Sequence, residues 1–223
     1  MYSDRGQVAF EDRHDAGRQL AEKLGEYSGQ SVVVLAIPNG GVPVALEVAS
    51  ALKADFDVVI CRKIPLPLTP EGGFGACADD GTVILNEEVV RRVGLSHQQI
   101  ENEANKVRAE IKQRSILYQG DRPLIVIRGR TVIIVDDGLA SGITMRAAVE
   151  SVRHRRPKEI VAAAPCASVM ALKQVEGVAD RVVICATGFV KKFHISDYYQ
   201  QWYDLSDDEV IRYLNRWRAR YFR

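Results

Sequence analysis

Five short segments that are apolar at nearly every position recur along the chain, and they limit its fold more than any other feature. They are Val32–Ile37, Phe56–Cys61, Thr131–Val135, Glu159–Pro165 and Arg181–Ala186. Strands that are apolar on both faces are typical of a parallel sheet covered on both sides. Helical patterns at Pro43–Leu52, Ile143–His154 and Val169–Glu176 separate them and predict right-handed βαβ units. The predicted fold class is α/β, with a doubly wound, mostly parallel sheet.

The alternation stops between the second and third apolar segments. Residues 64–130 begin with a stretch rich in Pro and Gly, in which GACADDGTVIL predicts a hairpin that turns at Asp80–Gly81. Asn86–Tyr118 follows with a helical pattern, and Ser96 and Gln99 have the spacing of a capping box in its second half. We therefore expect residues 64–130 to be an inserted lid, hairpin and helical segment within one domain.

Composition narrows the classes of protein that remain. The net charge is +1, which gives no general attraction for nucleic acid, and no apolar run reaches the roughly 18 residues of a membrane span. The start of the chain, MYSDRGQVAFEDRHD, is polar and differs from a signal peptide. The four cysteines form no C-x-x-C pair, so we expect reduced core thiols rather than zinc ligands. These features predict a single cytoplasmic domain over residues 1–223, with no nucleic-acid or membrane partner.

The C-terminal segment, LSDDEVIRYLNRWRARYFR, contains five arginines and admits two interpretations. A cluster of arginines can contact nucleic acid or an anionic membrane. However, Ser206 and Glu209 have the spacing of a capping box, acids fill the first turn and arginines fill the last, as the helix dipole favours. An apolar stripe runs along the same helix, formed by Tyr213, Leu214, Trp217 and Tyr221. We expect this helix to dock on the body of the protein or on a second subunit.

The segment VIIVDDGLASGIT, residues 132–144, places two adjacent acids at the end of a buried strand. Carboxylates repel each other, so Asp136 and Asp137 need a partner. In open α/β sheets ligands bind beyond the carboxyl ends of the strands, where this turn is expected. Gly142 and the start of the next helix form an anion cradle suited to a phosphate monoester, although neither a Walker motif nor G-x-G-x-x-G is present. Acids that suit hydroxyl groups or hydrated Mg²⁺, followed by a phosphate cradle, indicate a 5-phosphoribosyl ligand.

This segment resembles the phosphoribosyl pyrophosphate (PRPP) motif of type I phosphoribosyltransferases, in which an apolar strand, two acids and a [ST]-G-x-[ST] phosphate loop follow one another. FEDRHDAGRQLAEKL, IPNGGVPVALEVA, RKI and DLSDDEVIRYL also resemble landmarks of a poorly characterised group of predicted phosphoribosyltransferases. The resemblance implies that Asp136 and Asp137 hold the ribose hydroxyls, directly or through Mg²⁺, for which they would be the metal ligands. It also implies that five residues wrap the 5′-phosphate. These are Ala140, Ser141, Gly142, Ile143 and Thr144.

By the same resemblance, three residues after the first strand form a pyrophosphate loop. These are Asn39, Gly40 and Gly41. Arg62 and Lys63, expected at the end of the second strand, would neutralise the leaving pyrophosphate. The Gly-rich segment Thr69–Ala78 would be a flexible lid that excludes water, and Glu71 within it would be a general base.

The resemblance implies a Mg²⁺-dependent homodimeric transferase that uses PRPP, transfers its 5-phosphoribosyl group to a nitrogen base and releases pyrophosphate. The hood loop, residues 188–204, holds six of the sixteen aromatic residues, which either stack on the base or anchor the loop. Ala140 stands where relatives that use hypoxanthine or guanine carry Asp, and no Lys or Arg occurs from Ile64 to Val90, so the acceptor stays open. The alternative is a non-catalytic module that senses PRPP or a nucleotide. A phosphoacceptor receiver domain would instead carry its acid pair after the first strand.

Overall fold

The structure is a computed structural model that describes residues 8–67, 69–120, 122–188 and 193–221. Its helices are α1 (Arg13–Lys23), α2 (Gly41–Leu52), α3 (Glu87–Val93), α4 (His97–Gln119), α5 (Ile143–His154), α6 (Val169–Glu176) and α7 (Asp207–Tyr221). Its strands are β1 (Val32–Ala36), β2 (Asp55–Val58), β3 (Cys61–Leu66), β4 (Thr69–Ala78), β5 (Val83–Leu85), β6 (Thr131–Val135), β7 (Glu159–Ser168) and β8 (Arg181–Gly188).

Five of the strands form a parallel sheet in the order β2-β1-β6-β7-β8. Every side chain of β1 and β6 is buried, whichever face it points to. In β6, Ile133 belongs to the same core cluster as Val44 of α2. Val132 and Ile134 belong to the other large cluster, with Met145 of α5. Helices therefore cover both faces of the sheet, and the predicted doubly wound α/β fold is confirmed.

The inserted segment forms a separate antiparallel sheet in the order β3-β4-β5. The predicted hairpin is confirmed, because β4 and β5 pair antiparallel and Gly81, in the turn between them, has a φ of 91°. The helical part is divided into two. α3 ends at Gly94, and Ser96 and Gln99 form the predicted capping box at the start of α4.

The predicted boundary between the sheet and the insertion was wrong. β2 ends at Val58 and does not continue to Cys61. The chain leaves the parallel sheet at this point, and Cys61 begins β3, where it pairs with Ala78 of β4. Arg62 and Lys63 therefore lie on the antiparallel strand β3 and not at the end of the second strand of the parallel sheet.

The predicted flexible lid, Thr69–Ala78, is strand β4 along its whole length. Its glycines allow strands to pack closely. A Cβ at Gly75 would lie 2.7 Å from the carbonyl oxygen of Ile84, and a Cβ at Gly73 would overlap the side chain of Lys63. The Gly content of this segment is therefore explained by packing against its neighbours.

Helix α7 docks on the body of the protein, which confirms one of the two docking surfaces expected for it. Ser206 Oγ accepts a hydrogen bond from Glu209 N, and Glu209 Oε2 accepts one from Ser206 N, as the predicted capping box requires. Leu214 and Trp217 are buried, and the ring of Trp217 lies 5.4 Å from that of Phe56. Within the described ranges, no helix has the length and apolar character needed to cross a membrane.

Candidate functional site

A pocket of about 470 Å³ lies beyond the carboxyl ends of β1 and β6. It brings together predicted site residues from three separate stretches of the chain. These are Asn39, Gly40, Arg62, Lys63, Asp136, Asp137 and Thr144. Glu110 and Arg114 of α4 also line it. A second cleft, of about 350 Å³, lies between Phe56, Leu124 and Trp217, and its largely apolar lining includes none of the predicted residues.

The turn between β6 and α5 has the geometry of an anion cradle. Gly142 has a φ of 77°, and a Cβ there would lie 2.9 Å from the carbonyl oxygen of Ala171, so glycine is required. α5 begins at Ile143, and the N–H groups of its first turn are directed toward the loop. Ser141 Oγ lies 3.4 Å from Ile143 N, whose hydrogen bond it accepts, and Thr144 lines the pocket. The turn can therefore hold a phosphate group.

The same turn is anchored to the end of β7. Leu139 N donates to Cys166 O at 2.8 Å, and Ser168 N donates back to Leu139 O at 2.9 Å. Ser168 Oγ donates to Ala140 O at 2.7 Å. Ala140 and Ser141 are exposed, so the backbone of the turn is fixed while its outer surface stays accessible to a ligand.

The loop after β1 packs directly on the two acids. Its Pro38–Asn39 peptide bond is cis. A Cβ at Gly40 would overlap the Asp137 carboxylate, and a Cβ at Gly41 would lie 2.7 Å from the carbonyl oxygen of Val135. Glycine is therefore required at both positions by close approach to the end of β6 and the acids that follow it.

The side chain of Asn39 holds this loop to α4 and to the start of α7. Asn39 Nδ2 donates to Leu205 O at 2.8 Å and to Asp207 Oδ1 at 2.9 Å. Asn39 Oδ1 lies 2.9 Å from Arg114 Nη1 and 3.0 Å from the Tyr118 hydroxyl. Both ends of the amide are engaged inside the protein, so the backbone of Asn39 is the part available to a ligand.

Asp136 and Asp137 lie side by side in different surroundings. Asp137 is 8% exposed, and its Oδ2 accepts a hydrogen bond from Arg13 Nε at 2.9 Å. Asp136 is partly buried, and its Oδ1 accepts from the Asp137 amide at 2.9 Å. Burial and the neighbouring Asp137 carboxylate raise the pKa of Asp136 well above its ordinary value. Burial also raises the pKa of Asp137, and the Arg13 guanidinium opposes that rise. Arg13 is therefore the partner that the carboxylate pair requires.

Cations from the inserted segment border the pocket. Arg62 of β3 forms an ion pair with Glu110 of α4 at 3.0 Å. Arg114, one turn further along α4, forms an ion pair with Asp207 at 3.1 Å. Lys63 follows Arg62 on β3 and is exposed. A ligand with several negative charges would meet cationic side chains from two elements at this side of the pocket.

Three residues of the site carry little sequence signal. Arg13 lies in FEDRHDAGRQLAEKL, a segment singled out only for its resemblance, and its acidic partner is 124 positions away. The adjacent acids Asp136 and Asp137 did predict that a partner lies opposite them, but not which residue it is. Glu110 and Arg114 have the four-residue spacing of an ordinary surface ion pair on a helix, so nothing local marks them as site residues.

The predicted general base and part of the hood lie outside the described residues. The side chain of Glu71, the predicted general base, is not described, and neither is Phe189 of the hood. The role of Glu71 therefore stays a prediction. In the described part of the hood, Tyr199 donates its hydroxyl hydrogen to the carbonyl oxygen of Asp137 at 2.6 Å. The Tyr199 ring lies 5.2 Å from that of Trp202. These two aromatics anchor the loop beside the acids, which is one of the two interpretations given above.

Comparisons with known proteins identify the family to which the sequence and the fold are similar. The family model of the phosphoribosyl transferase domain matches residues 76–200. Two proteins of Mycobacterium tuberculosis, named "Putative phosphoribosyl transferase MT0597" and "Putative phosphoribosyl transferase Rv0571c", are 41% identical over 207 residues, which make up 93% of this chain and 46% of theirs. The chain thus spans about half the length of these curated relatives. The crystal structure of TT1426 from Thermus thermophilus matches with a TM-score of 0.76 at 34% identity, over 94% of this chain and 99% of that one.

Proposed function

Because the chain belongs to the phosphoribosyl transferase domain family, we propose that it is a Mg²⁺-dependent phosphoribosyltransferase. It would use PRPP, transfer the 5-phosphoribosyl group to a nitrogen base or a related nucleophile, and release pyrophosphate. The observation that carries the proposal is a convergence in one pocket. The acid pair, the start of α5 and the cations of β3 and α4 all line it.

The two anionic ends of PRPP match two parts of the pocket. The 5′-phosphate suits the turn before α5, where the N–H groups of the first helical turn, the exposed Ser141 hydroxyl and the hydroxyl of Thr144 in the pocket lie close together in sequence. The pyrophosphate suits the loop at Gly40, bordered by Arg62 and Lys63. The ribose would then lie against the acid pair between them, where carboxylates can accept hydrogen bonds from its 2′- and 3′-hydroxyls.

The donor set fits Mg²⁺ that is held jointly by protein and substrate. Mg²⁺ prefers oxygen ligands and is usually bound through one or two carboxylates together with substrate phosphates. Asp136 and Asp137 supply the carboxylates, and the described part of the chain contains no cluster of three or more His, Cys, Asp or Glu that could enclose a metal ion alone. When bound, Mg²⁺ would take up negative charge that develops on the pyrophosphate.

The transfer step requires positioning and charge stabilisation more than covalent chemistry. The bond between ribose C1 and the pyrophosphate oxygen breaks, and a bond to the nitrogen of the nucleophile forms, through an oxocarbenium-like transition state. The acid pair would stabilise the positive charge on the ribose. Arg62, Lys63 and Arg114 would stabilise the negative charge on the leaving group.

Calorimetric titration with PRPP, with and without Mg²⁺, tests the donor half of the proposal. We expect binding only with Mg²⁺, and we expect Asp136→Asn to weaken it strongly. Asp55→Asn is a matched control, because Asp55 lies at the amino end of β2, away from the pocket, in an ion pair with Arg130. Wild-type protein that fails to bind PRPP at about 1 mM, the upper end of common KM values, would refute the proposal.

A screen of free bases for pyrophosphate release tests the acceptor half. At least one base should release pyrophosphate in the wild-type protein, and none should do so in Asp136→Asn. PRPP binding without release across the panel would favour the sensor, an alternative that the absence of Lys and Arg from residues 64–90 supports.

A further inference from the structure

We propose that Arg13 is a positioning residue that neutralises and immobilises Asp137, so that Asp136 is the acid of the pair that supplies the net negative charge for Mg²⁺. This inference rests on the function proposed above and refines it, because that function and the family resemblance treat the two acids as equivalent. The difference between them follows from how each acid is held.

Asp137 is enclosed on several sides. Its carboxylate accepts from Arg13 Nε at 2.9 Å, and the side chains of Arg13 and Asp137 are only 7% and 11% exposed. The backbone of Gly40 lies so close to this carboxylate that even a methyl group would overlap it. The carbonyl oxygen of Asp137 accepts from the Tyr199 hydroxyl at 2.6 Å. The carboxylate cannot turn toward a ligand without leaving a buried guanidinium unpaired, which is strongly unfavourable.

Asp136 is held less tightly and is more accessible. Both acids line the pocket, but Asp136 is partly exposed whereas Asp137 is buried, and Oδ1 of Asp136 accepts from the Asp137 amide at 2.9 Å. With Asp137 matched by Arg13, the three side chains carry a single net negative charge when both acids are ionised. That charge belongs, in effect, to Asp136, the more exposed acid of the pair.

Arg13 also joins this acid to the hood. Its Nη1 donates to Tyr203 O at 2.9 Å, and its guanidinium carbon lies 4.0 Å from the centre of the Trp202 ring. One planar cation therefore bonds an acid, a backbone carbonyl and an aromatic face at the same time. Lysine lacks the fork geometry needed to make all three contacts. Arg13 is thus suited to fix the position of Asp137 relative to the segment that would cover the acceptor.

The test compares PRPP affinity and its Mg²⁺ requirement in Asp136→Asn, Asp137→Asn, Arg13→Gln and the Arg13→Gln/Asp137→Asn double variant. We expect Asp136→Asn to weaken PRPP binding by about 100-fold or more, and Asp137→Asn by less than about tenfold, because its amide oxygen can still accept from Arg13. The Mg²⁺ concentration for half-maximal PRPP binding should rise most in Asp136→Asn, and by several-fold at most in Asp137→Asn, which leaves Arg13 as an unpaired cation near the ion.

Arg13→Gln supplies a readout that a purely structural role would not give. It leaves Asp137 charged and unpaired near the ion, so half-maximal binding should need less Mg²⁺, by several-fold to about tenfold at low salt. The double variant removes both charges, so it should fold even if Arg13→Gln does not, and its Mg²⁺ requirement should return to the wild-type value.

Two outcomes contradict the inference in distinguishable ways. If wild-type protein binds PRPP but Asp137→Asn loses affinity and raises the Mg²⁺ requirement as severely as Asp136→Asn, the two acids have the same role and this inference is overturned while the proposed function stands. If wild-type protein fails to bind PRPP with Mg²⁺, the proposed function and this inference both fall.

Discussion

Replacement of Tyr118 by Phe tests how the loop at Asn39 is held in place. Tyr118 is fully buried, and its hydroxyl lies 2.6 Å from Asp207 Oδ1 and 3.0 Å from Asn39 Oδ1. A hydroxyl has one hydrogen, and the shorter contact, to a carboxylate, is the stronger hydrogen bond. Burial and the hydrogen bond to Asp207 raise the pKa of Tyr118, so the hydroxyl remains protonated as the donor.

The loss of stability can be bounded from the surrounding contacts. A hydrogen bond to a charged group contributes about 1.5–3 kcal/mol. The Asp207 side chain is 38% exposed, and it keeps its contacts with Asn39 and Arg114 after the substitution, so the lower end applies. We expect Tyr118→Phe to lower the free energy of unfolding by about 1.5 kcal/mol. In a chain of this length, that corresponds to a fall in Tm of about 3–6 °C.

The assay pairs thermal unfolding with pyrophosphate binding. Asn39 is part of the loop that we assign to pyrophosphate, so Tyr118→Phe should weaken pyrophosphate binding as well as lower Tm. Tyr27→Phe is the matched control. Tyr27 is also buried, and its hydroxyl contacts Glu159 and Arg181, away from the pocket. The control should lower Tm and leave pyrophosphate affinity unchanged. Tyr118→Phe protein with wild-type Tm and wild-type affinity would refute this reasoning.

Three further predictions concern packing, pH and thiol chemistry. Gly40→Ala should destabilise the protein by about 1–3 kcal/mol and weaken PRPP binding, because the new methyl group overlaps Asp137. Gly25→Ala is the control and should be tolerated, since nothing lies within 4 Å of its Cβ position. Equal melting temperatures for the two variants would contradict this prediction. Burial raises the pKa of Asp57, so the charge of Asp57 lowers the stability of the folded protein at pH 7. This loss of stability shrinks as pH falls below the raised pKa and is gone below about pH 3.9, the pKa in the unfolded chain. Asp57→Asn should therefore raise Tm at pH 7 and leave it unchanged below about pH 3.9. Burial raises the pKa of Cys185 to about 11, and the other three cysteines are buried, so a colorimetric thiol reagent at pH 8 should react slowly with native protein and rapidly with all four thiols in denaturant.

The architecture of the central sheet could be predicted because its signal is local. Apolar residues at consecutive positions identify strands buried on both faces, and that pattern holds in β1, β6 and β7. The boundary at Val58 could not be predicted in this way. Phe56–Cys61 is apolar at every position except Asp57, so no change of pattern marks Val58, and only pairing with β4 shows that Cys61 belongs to another sheet.

The lid prediction illustrates a different limit of local sequence. Glycine in Thr69–Ala78 is compatible both with a flexible loop and with a strand whose neighbours approach closely. The choice depends on partners such as Ile84 and Lys63, which local sequence does not identify. The same applies to Arg13. The need for a cation was readable from two adjacent acids, but its identity depended on a contact made across the fold.

The contacts of Arg13 bear on the order in which the molecule folds. Its partners Asp137 and Tyr203 lie 124 and 190 positions further along the chain. Contacts between such distant positions form late, because much of the chain must already be ordered before they become favourable. During synthesis, Asp137 and Arg13 can pair only after most of the sheet has emerged, and the hood joins them near the end. We therefore expect refolding protein to regain its affinity for PRPP only with the last of these contacts, and not before the parallel sheet is complete.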